Sequence, residues 1–230
     1  MKHKSLIISL LLIISKQGIG QVLPTNDFEA KLKTTETLQL IDVRTTGEYG
    51  GGHLPSAQNI DFRNADFRKN IQGLDRSKPV FVYCLSGGRS KAAAQILKEE
   101  GFATIYDLQG GWLKWSTSLK PVEGVKKTEK GIGLTKEEIE AAIAQNEVVV
   151  LDFYAQWCAP CLKMMPTVDK LAKELEGKVK FIKVDYEANE ALIGTYKVDE
   201  IPAFMVYKKG ILTTKTVGVQ DEAAFRKMIE

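Results

Sequence analysis

The chain of 230 residues reads as an α/β protein made of two layered domains. Three observations predict this. Short apolar runs of strand length alternate with stretches of helical spacing along most of the chain. Cysteine chemistry occurs twice, at Cys84 and at Cys158 with Cys161, each time where a strand-like run ends and a helix-like run begins. Hydrophobic residues make up 44%, enough for packed cores and too many for a disordered or fibrous chain.

The first twenty residues stand apart from both domains. A basic head, Lys2-His3-Lys4, precedes an almost unbroken apolar run from Leu6 to Ile14, and the small residues Gly18 and Gly20 follow. This pattern predicts a secretory signal over residues 1–20, cut before Gln21, and a periplasmic or secreted protein. An uncleaved anchor is the alternative, although the run is shorter than the ~20 residues of a membrane span. Three of the 32 basic residues (Lys2, Lys4, Lys16) lie in this leader, so the remaining 29 balance the 29 acidic ones. A neutral mature chain gives no reason to expect nucleic acid or an anionic membrane as partner. Three cysteines are an odd count and no disulfide framework. Export makes the lone Cys84 either reactive or deeply buried.

The first domain is expected over residues 26–120. Phe28 and Leu32 suggest a short helix, Leu38 to Val43 and Val80 to Tyr83 suggest strands, and Lys91 to Glu100 has helical spacing ended by Gly101. Ile105 to Leu108 is a further strand, and the alternation argues a mostly parallel sheet. Ligands of open α/β sheets bind at the carboxyl ends of strands. There stands Cys84-Leu85-Ser86-Gly87-Gly88-Arg89-Ser90. Gly87 and Gly88 let backbone N–H groups turn inward as an anion nest, and Ser86 lies in the same loop. The following helix start adds to that field, and Arg89 can brace the loop or meet an anionic substrate. Such a ring of donors favours a thiolate or a persulfide. The competing reading is a buried structural cysteine beside a tight turn.

Leu40-Ile41-Asp42-Val43-Arg44, Glu48-Tyr49-Gly50-Gly51-Gly52-His53-Leu54-Pro55, Ala57-Gln58-Asn59-Ile60, the Cys84–Ser90 loop and Gly110-Gly111-Trp112 with Trp115 together resemble the single-domain rhodanese family. The resemblance implies that Cys84 is the sulfur-accepting nucleophile. Ser56 replaces a common Gly. Four residues separate Cys84 from Arg89, where the related phosphatase loops have five, and Tyr83 stands where those phosphatases often place His. A sulfur-transfer site fits better than a phosphatase or an arsenate reductase. Asp42 with Arg44, and His53, read as supports of the fold.

Residues 121–132 carry charge and glycine without apolar periodicity and read as a linker. The second domain follows over 133–230. Thr135-Lys136-Glu137-Glu138 is a capping box opening a helix through Gln145. Val148 to Tyr154 should be a central strand, interrupted by Asp152, an acid that is costly to bury without a role. Trp157-Cys158-Ala159-Pro160-Cys161 comes next, at the start of a helix reaching towards Leu175. Unpaired N–H groups and the helix dipole favour a thiolate at Cys158, and Cys161 is one turn on, near enough for a disulfide. A zinc half-site is the alternative; zinc usually takes four ligands, and only Cys84, His3 and His53 remain. Strands at Val179–Val184, Ala203–Tyr207 and Ile211–Val217, and helices at Glu190–Tyr196 and Asp221–Glu230, complete the domain.

Asp152 to Lys163, Lys183-Val184-Asp185, Ile201-Pro202-Ala203-Phe204, Gly210 and Gly218 resemble thioredoxin in order and spacing, with Ala159 where thioredoxins carry Gly. The two resemblances together imply two three-layer α/β domains, a rhodanese-like parallel sheet followed by a thioredoxin fold. The second also implies a cis bond before Pro202, leaving backbone groups free for a substrate segment. It further implies an exposed Trp157 that docks partners and an Asp152 that takes the proton of Cys161. No cofactor or metal is expected. The expected partners are a small sulfane-sulfur donor, protein or low-molecular-weight thiols and disulfides, and an external membrane reductant. A general disulfide oxidoreductase whose first domain docks, senses or carries persulfide is the alternative.

Overall fold

A computed structural model describes residues 20–125 and 133–230. The expected leader, apart from Gly20, and part of the expected linker lie outside the described residues.

The first domain runs β1 (Gln21–Leu23), α1 (Thr25–Thr34), β2 (Gln39–Asp42), α2 (Thr46–Gly50), β3 (Gln58–Asn59), α3 (Phe67–Asn70), a 3-10 turn (Ile71–Gly73), β4 (Val80–Tyr83), α4 (Gly88–Glu99), β5 (Ile105–Leu108) and α5 (Gly111–Thr117). Its strands form one parallel sheet in the order β1-β5-β4-β2-β3. Successive strand residues face opposite ways. Ile41 and Val82 therefore join one apolar cluster with Leu97 of α4, while Leu40 and Phe81 join another with Phe28 of α1 and Trp115 of α5. Helices cover both faces, which makes three layers. The β4 strand is buried throughout, as its unbroken apolar sequence requires.

The second domain runs α6 (Lys136–Gln145), β6 (Val148–Tyr154), α7 (Ala159–Glu174), β7 (Lys180–Asp185), α8 (Glu190–Thr195), β8 (Ala203–Lys208), β9 (Ile211–Val217) and α9 (Glu222–Ile229). The sheet order is β7-β6-β8-β9, with β6 and β7 parallel and the other pairs antiparallel. The strand β6 is central, as expected. Its Leu151 and Phe153 enter one core cluster and its Val150 the other, with Val168 of α7 and Phe225 of α9. The capping box at Thr135 is formed in both directions, so two orphan N–H groups of the first turn are satisfied.

In its secondary structure and linker the chain departs from the sequence reading in three places. Gln21–Leu23, which the sequence reading leaves unassigned between the leader and the first domain, forms an edge strand on β5. The Gly110-Gly111-Trp112 segment opens the helix α5, which two consecutive positive-φ glycines obscure in the sequence. The linker is pinned over its first part: Glu123 and His53 exchange two backbone hydrogen bonds of 2.8 Å, and the Trp115 indole N–H donates to the Pro121 carbonyl over 2.8 Å. Val122 packs into a core cluster of each domain.

Candidate functional site

Cys84 directly follows β4 and is 1% exposed. Gly87 takes φ +104°, a conformation costly for any residue with a Cβ, and its N–H donates to Cys84 Sγ over 3.1 Å. Burial pushes the Cys84 thiol up, yet the Ser90 hydroxyl and the N–H groups of Ser90, Ser86 and Gly87 together hold it below its ordinary value. Gly88 is the first residue of α4, so the loop runs straight into a helix N-terminus. Arg89 braces the loop: its guanidinium forks onto the Glu48 carboxylate at 2.8 and 2.7 Å. That hydrogen bond, stronger than the opposing burial, brings Glu48 down to about 2. Behind the loop, Gly111 takes φ +56°, and a Cβ there would lie 2.3 Å from the Cys84 carbonyl oxygen. The next two N–H groups, of Trp112 and Leu113, donate to the carbonyls of Cys84 and Leu85 over 2.8 and 3.0 Å.

Cys158 caps α7, and its Sγ accepts from the Cys161 N–H at 3.2 Å. The two cysteines form a disulfide, with Cα atoms 5.2 Å apart. Pro160 sits in the first turn, where a missing N–H leaves nothing unsatisfied. The Ile201–Pro202 bond is cis. Asp152 lies inside β6 at 4% exposure, and burial, only partly offset by Lys183, pushes its carboxyl up to about 7. Trp157 corrects an expectation: it is 8% exposed rather than open. Tyr186 meets its ring edge-on at 5.9 Å, and the core cluster to which it belongs also takes in Leu119, Val122 and Val125.

The two sulfur sites are joined through α5. Its start carries the contacts to the Cys84 loop. Its body packs on α7, the Thr117 carbonyl near its end accepts the Ile201 N–H at 2.9 Å, and Lys114 pairs with Glu200 at 2.6 Å. A helix of this length spans only ~10 Å. Between the domains lies a crevice of about 310 Å³, whose walls include Gly110, Lys114, Pro160 and Pro202.

Comparison with known proteins accounts for both halves. Residues 25–118 match the family model of the rhodanese-like domain, and residues 130–230 match that of thioredoxin. The uncharacterized protein YqhL of Bacillus subtilis (strain 168) is 39% identical over 107 residues, 46% of this chain and 81% of YqhL. Thioredoxin of Echinococcus granulosus is 37% identical over 109 residues, 47% of this chain and 95% of that one. The crystal structure of oxidized mitochondrial thioredoxin 3 from Saccharomyces cerevisiae is 34% identical, covering 43% of this chain and 92% of that chain with a TM-score of 0.39.

The chain belongs to the thioredoxin family, behind a rhodanese-like domain. It is a thiol-redox protein that joins a sulfurtransferase-type domain to a thiol–disulfide oxidoreductase-type one. In the rhodanese-like domain, the N–H groups of Ser86 and Gly87 lie at Cys84, Gly88 starts α4, and Arg89 turns to Glu48. In the thioredoxin domain, Cys158, Cys161 and Trp157 are neighbours along the chain, and Pro160 and Pro202 share the crevice wall. Asp42 and Arg44 form a buried ion pair at 2.6 Å, and His53 stacks on Tyr49 with centroids 3.8 Å apart, both supports of the fold. Sequence reasoning missed three contributors to the Cys84 site. Glu48 was signalled by Thr45-Thr46-Gly47-Glu48, a capping box that is formed. Ser90 is fully buried, with its Oγ 3.2 Å from the Gly87 carbonyl, and its single hydrogen serves one of Gly87, Cys84 and Asp107 at a time. Asp107 of β5 is buried with Oδ1 unpartnered; burial raises it to about 6 against the pull of the Ser90 hydroxyl, and no local pattern announces it.

Proposed function

We propose that this is an exported protein that takes sulfane sulfur onto Cys84 and reduces it with the Cys158/Cys161 pair. The Cys84 thiolate attacks the outer sulfur of a donor such as thiosulfate, sulfite leaves with the bonding pair, and a Cys84 persulfide forms. The Cys158 thiolate attacks the terminal sulfur of that persulfide and expels the Cys84 thiolate. Cys161 then attacks Cys158 Sγ and expels hydrosulfide. Two electrons pass from the dithiol to one sulfur atom, and the pair is left oxidised. Asp152, held near neutrality by burial, takes the Cys161 proton. A dithiol reductant at the membrane restores the pair.

The observation that carries this reading is α5, which bonds to the Cys84 loop at its start and packs on α7, together with the crevice beside it, whose wall holds neighbours of both sites but none of the three cysteines. Gly110, whose N is 3.9 Å from where a Gly87 Cβ would stand, borders it on the Cys84 side, while Pro160 and Pro202 border it on the disulfide side. Joining both sites in one chain raises the effective concentration of each at the other. The donor set around Cys84 Sγ stabilises a persulfide anion as it does a thiolate.

A single-turnover experiment tests this. Protein reduced beforehand and freed of reductant should release one hydrosulfide per chain on adding thiosulfate. Mass spectrometry should find the added sulfur on Cys84 in the Cys158→Ala, Cys161→Ala variant. Hydrosulfide release that survives in Cys84→Ser would defeat the proposal.

A further inference from the structure

We propose that the docked rhodanese-like domain restricts the Cys158/Cys161 pair to small sulfur compounds by occupying, with the Thr117 carbonyl, the place a polypeptide substrate would take. This deepens the reading above by naming its substrate class. A protein disulfide reaches a buried cysteine pair only if its own backbone lies along the surface beside that pair. The Ile201 N–H, beside cis-Pro202, is the backbone group such a strand would pair with. Here the Ile201 N–H is already committed, donating to Thr117 at 2.9 Å. The surroundings are closed as well: Ile201 is 1% exposed, Cys158 0%, Cys161 3% and Trp157 8%.

Two further contacts hold this cover in place. Lys114 of α5 pairs with Glu200, next to Ile201, at 2.6 Å across the domain boundary. Val122, just after α5, packs into the core cluster of each domain. What stays open beside the pair is the crevice of about 310 Å³ between the domains, which reaches Pro160, between the two cysteines in sequence, and Pro202. That volume accepts an ion of the size of thiosulfate, or a cystine-sized disulfide, and excludes a folded protein. Its wall carries both Lys114 and Glu200, already paired with each other, so size and not charge selects what enters.

The test compares two substrates on the full-length chain under continuous reduction by dithiothreitol, corrected for the uncatalysed rate. One is insulin, a polypeptide disulfide, and the other is bis(2-hydroxyethyl) disulfide. The parent should turn over the small disulfide at least about tenfold faster per molecule than insulin. Lys114→Glu sets two acids against each other and should raise the insulin-to-small-disulfide ratio about threefold or more, the scale of a surface ion pair turned repulsive. Glu200→Lys should do the same from the other side, and the double exchange should restore the parent ratio. A parent that reduces both equally well overturns the proposal. So do equal ratios in all four proteins, or a rise that the double exchange leaves in place. All these outcomes need only the cysteine pair, so they are independent of whether Cys84 accepts sulfur.

Discussion

Asp152→Asn should stabilise the protein at alkaline pH and barely change it in acid. The carboxyl is buried inside β6, and its folded value of about 7 stands well above the ordinary 3.8. For a group whose value rises on folding, the stabilising contribution is fully present below the unfolded value and is lost as pH climbs through the folded one. The window here runs from about pH 4 to pH 7. At 1.36 kcal/mol per unit, a gap of about three units costs the folded state about 4 kcal/mol at pH 8 and under about 1 kcal/mol at pH 4. Asparagine has the same shape and no charge to bury, so it removes that cost while leaving its own amide to be satisfied. A net gain of about 2–4 kcal/mol at pH 8 is expected, equivalent to roughly 10 °C or more in the melting temperature of a domain this size. Urea titrations of parent and variant at pH 4 and pH 8, followed through a signal of the second domain, read the difference. An identical stability difference at both pH values would refute the reasoning, because only an ionising carboxylate produces the divergence.

The other predictions concern the Cys84 loop. Ser90→Ala removes a hydroxyl that lowers the thiol, so alkylation of Cys84 by iodoacetamide at pH 7 should slow about tenfold, the worth of one hydrogen bond to an anion; an unchanged rate would show the backbone donors suffice. Gly111→Ala forces a Cβ to within 2.3 Å of the Cys84 carbonyl oxygen at a positive φ, and should cost the rhodanese-like domain about 3 kcal/mol in urea unfolding while disturbing persulfide formation. Glu48→Gln leaves Arg89 without its carboxylate. Since Glu48 is held down at about 2, its contribution exists above about pH 4.5 and fades as pH falls through 2, so the variant should lose about 1–2 kcal/mol at pH 7 and match the parent near pH 2.

The elements that were legible in the sequence are those set by local rules. Val80–Tyr83 and Val148–Tyr154 announce buried strands by uninterrupted apolar character, and Thr135 with Glu138 announces a helix start; all three form. The Cys84 loop and the Cys158–Cys161 turn are legible for the same reason, each being one strand end, one turn and one helix start. What stayed hidden depends on partners far away in the chain. Arg89 finds Glu48 across 41 positions, Trp157 is closed over by a cluster that includes residues of the other domain, and β1 exists only because β5 offers it an edge. Ser56 shows the converse. It adopts φ +61°, a conformation that favours glycine, which gives a backbone reason for the Gly that the resemblance leads one to expect there.

Val122 belongs to both cores at once. Heat that loosens one half strips apolar cover from the other, so the halves are thermally coupled neighbours, unlike beads on a string. A Val122→Ala chain should show this in a calorimeter as a wider gap between two endotherms, and a ligand gripping either half should lift the melting of its neighbour.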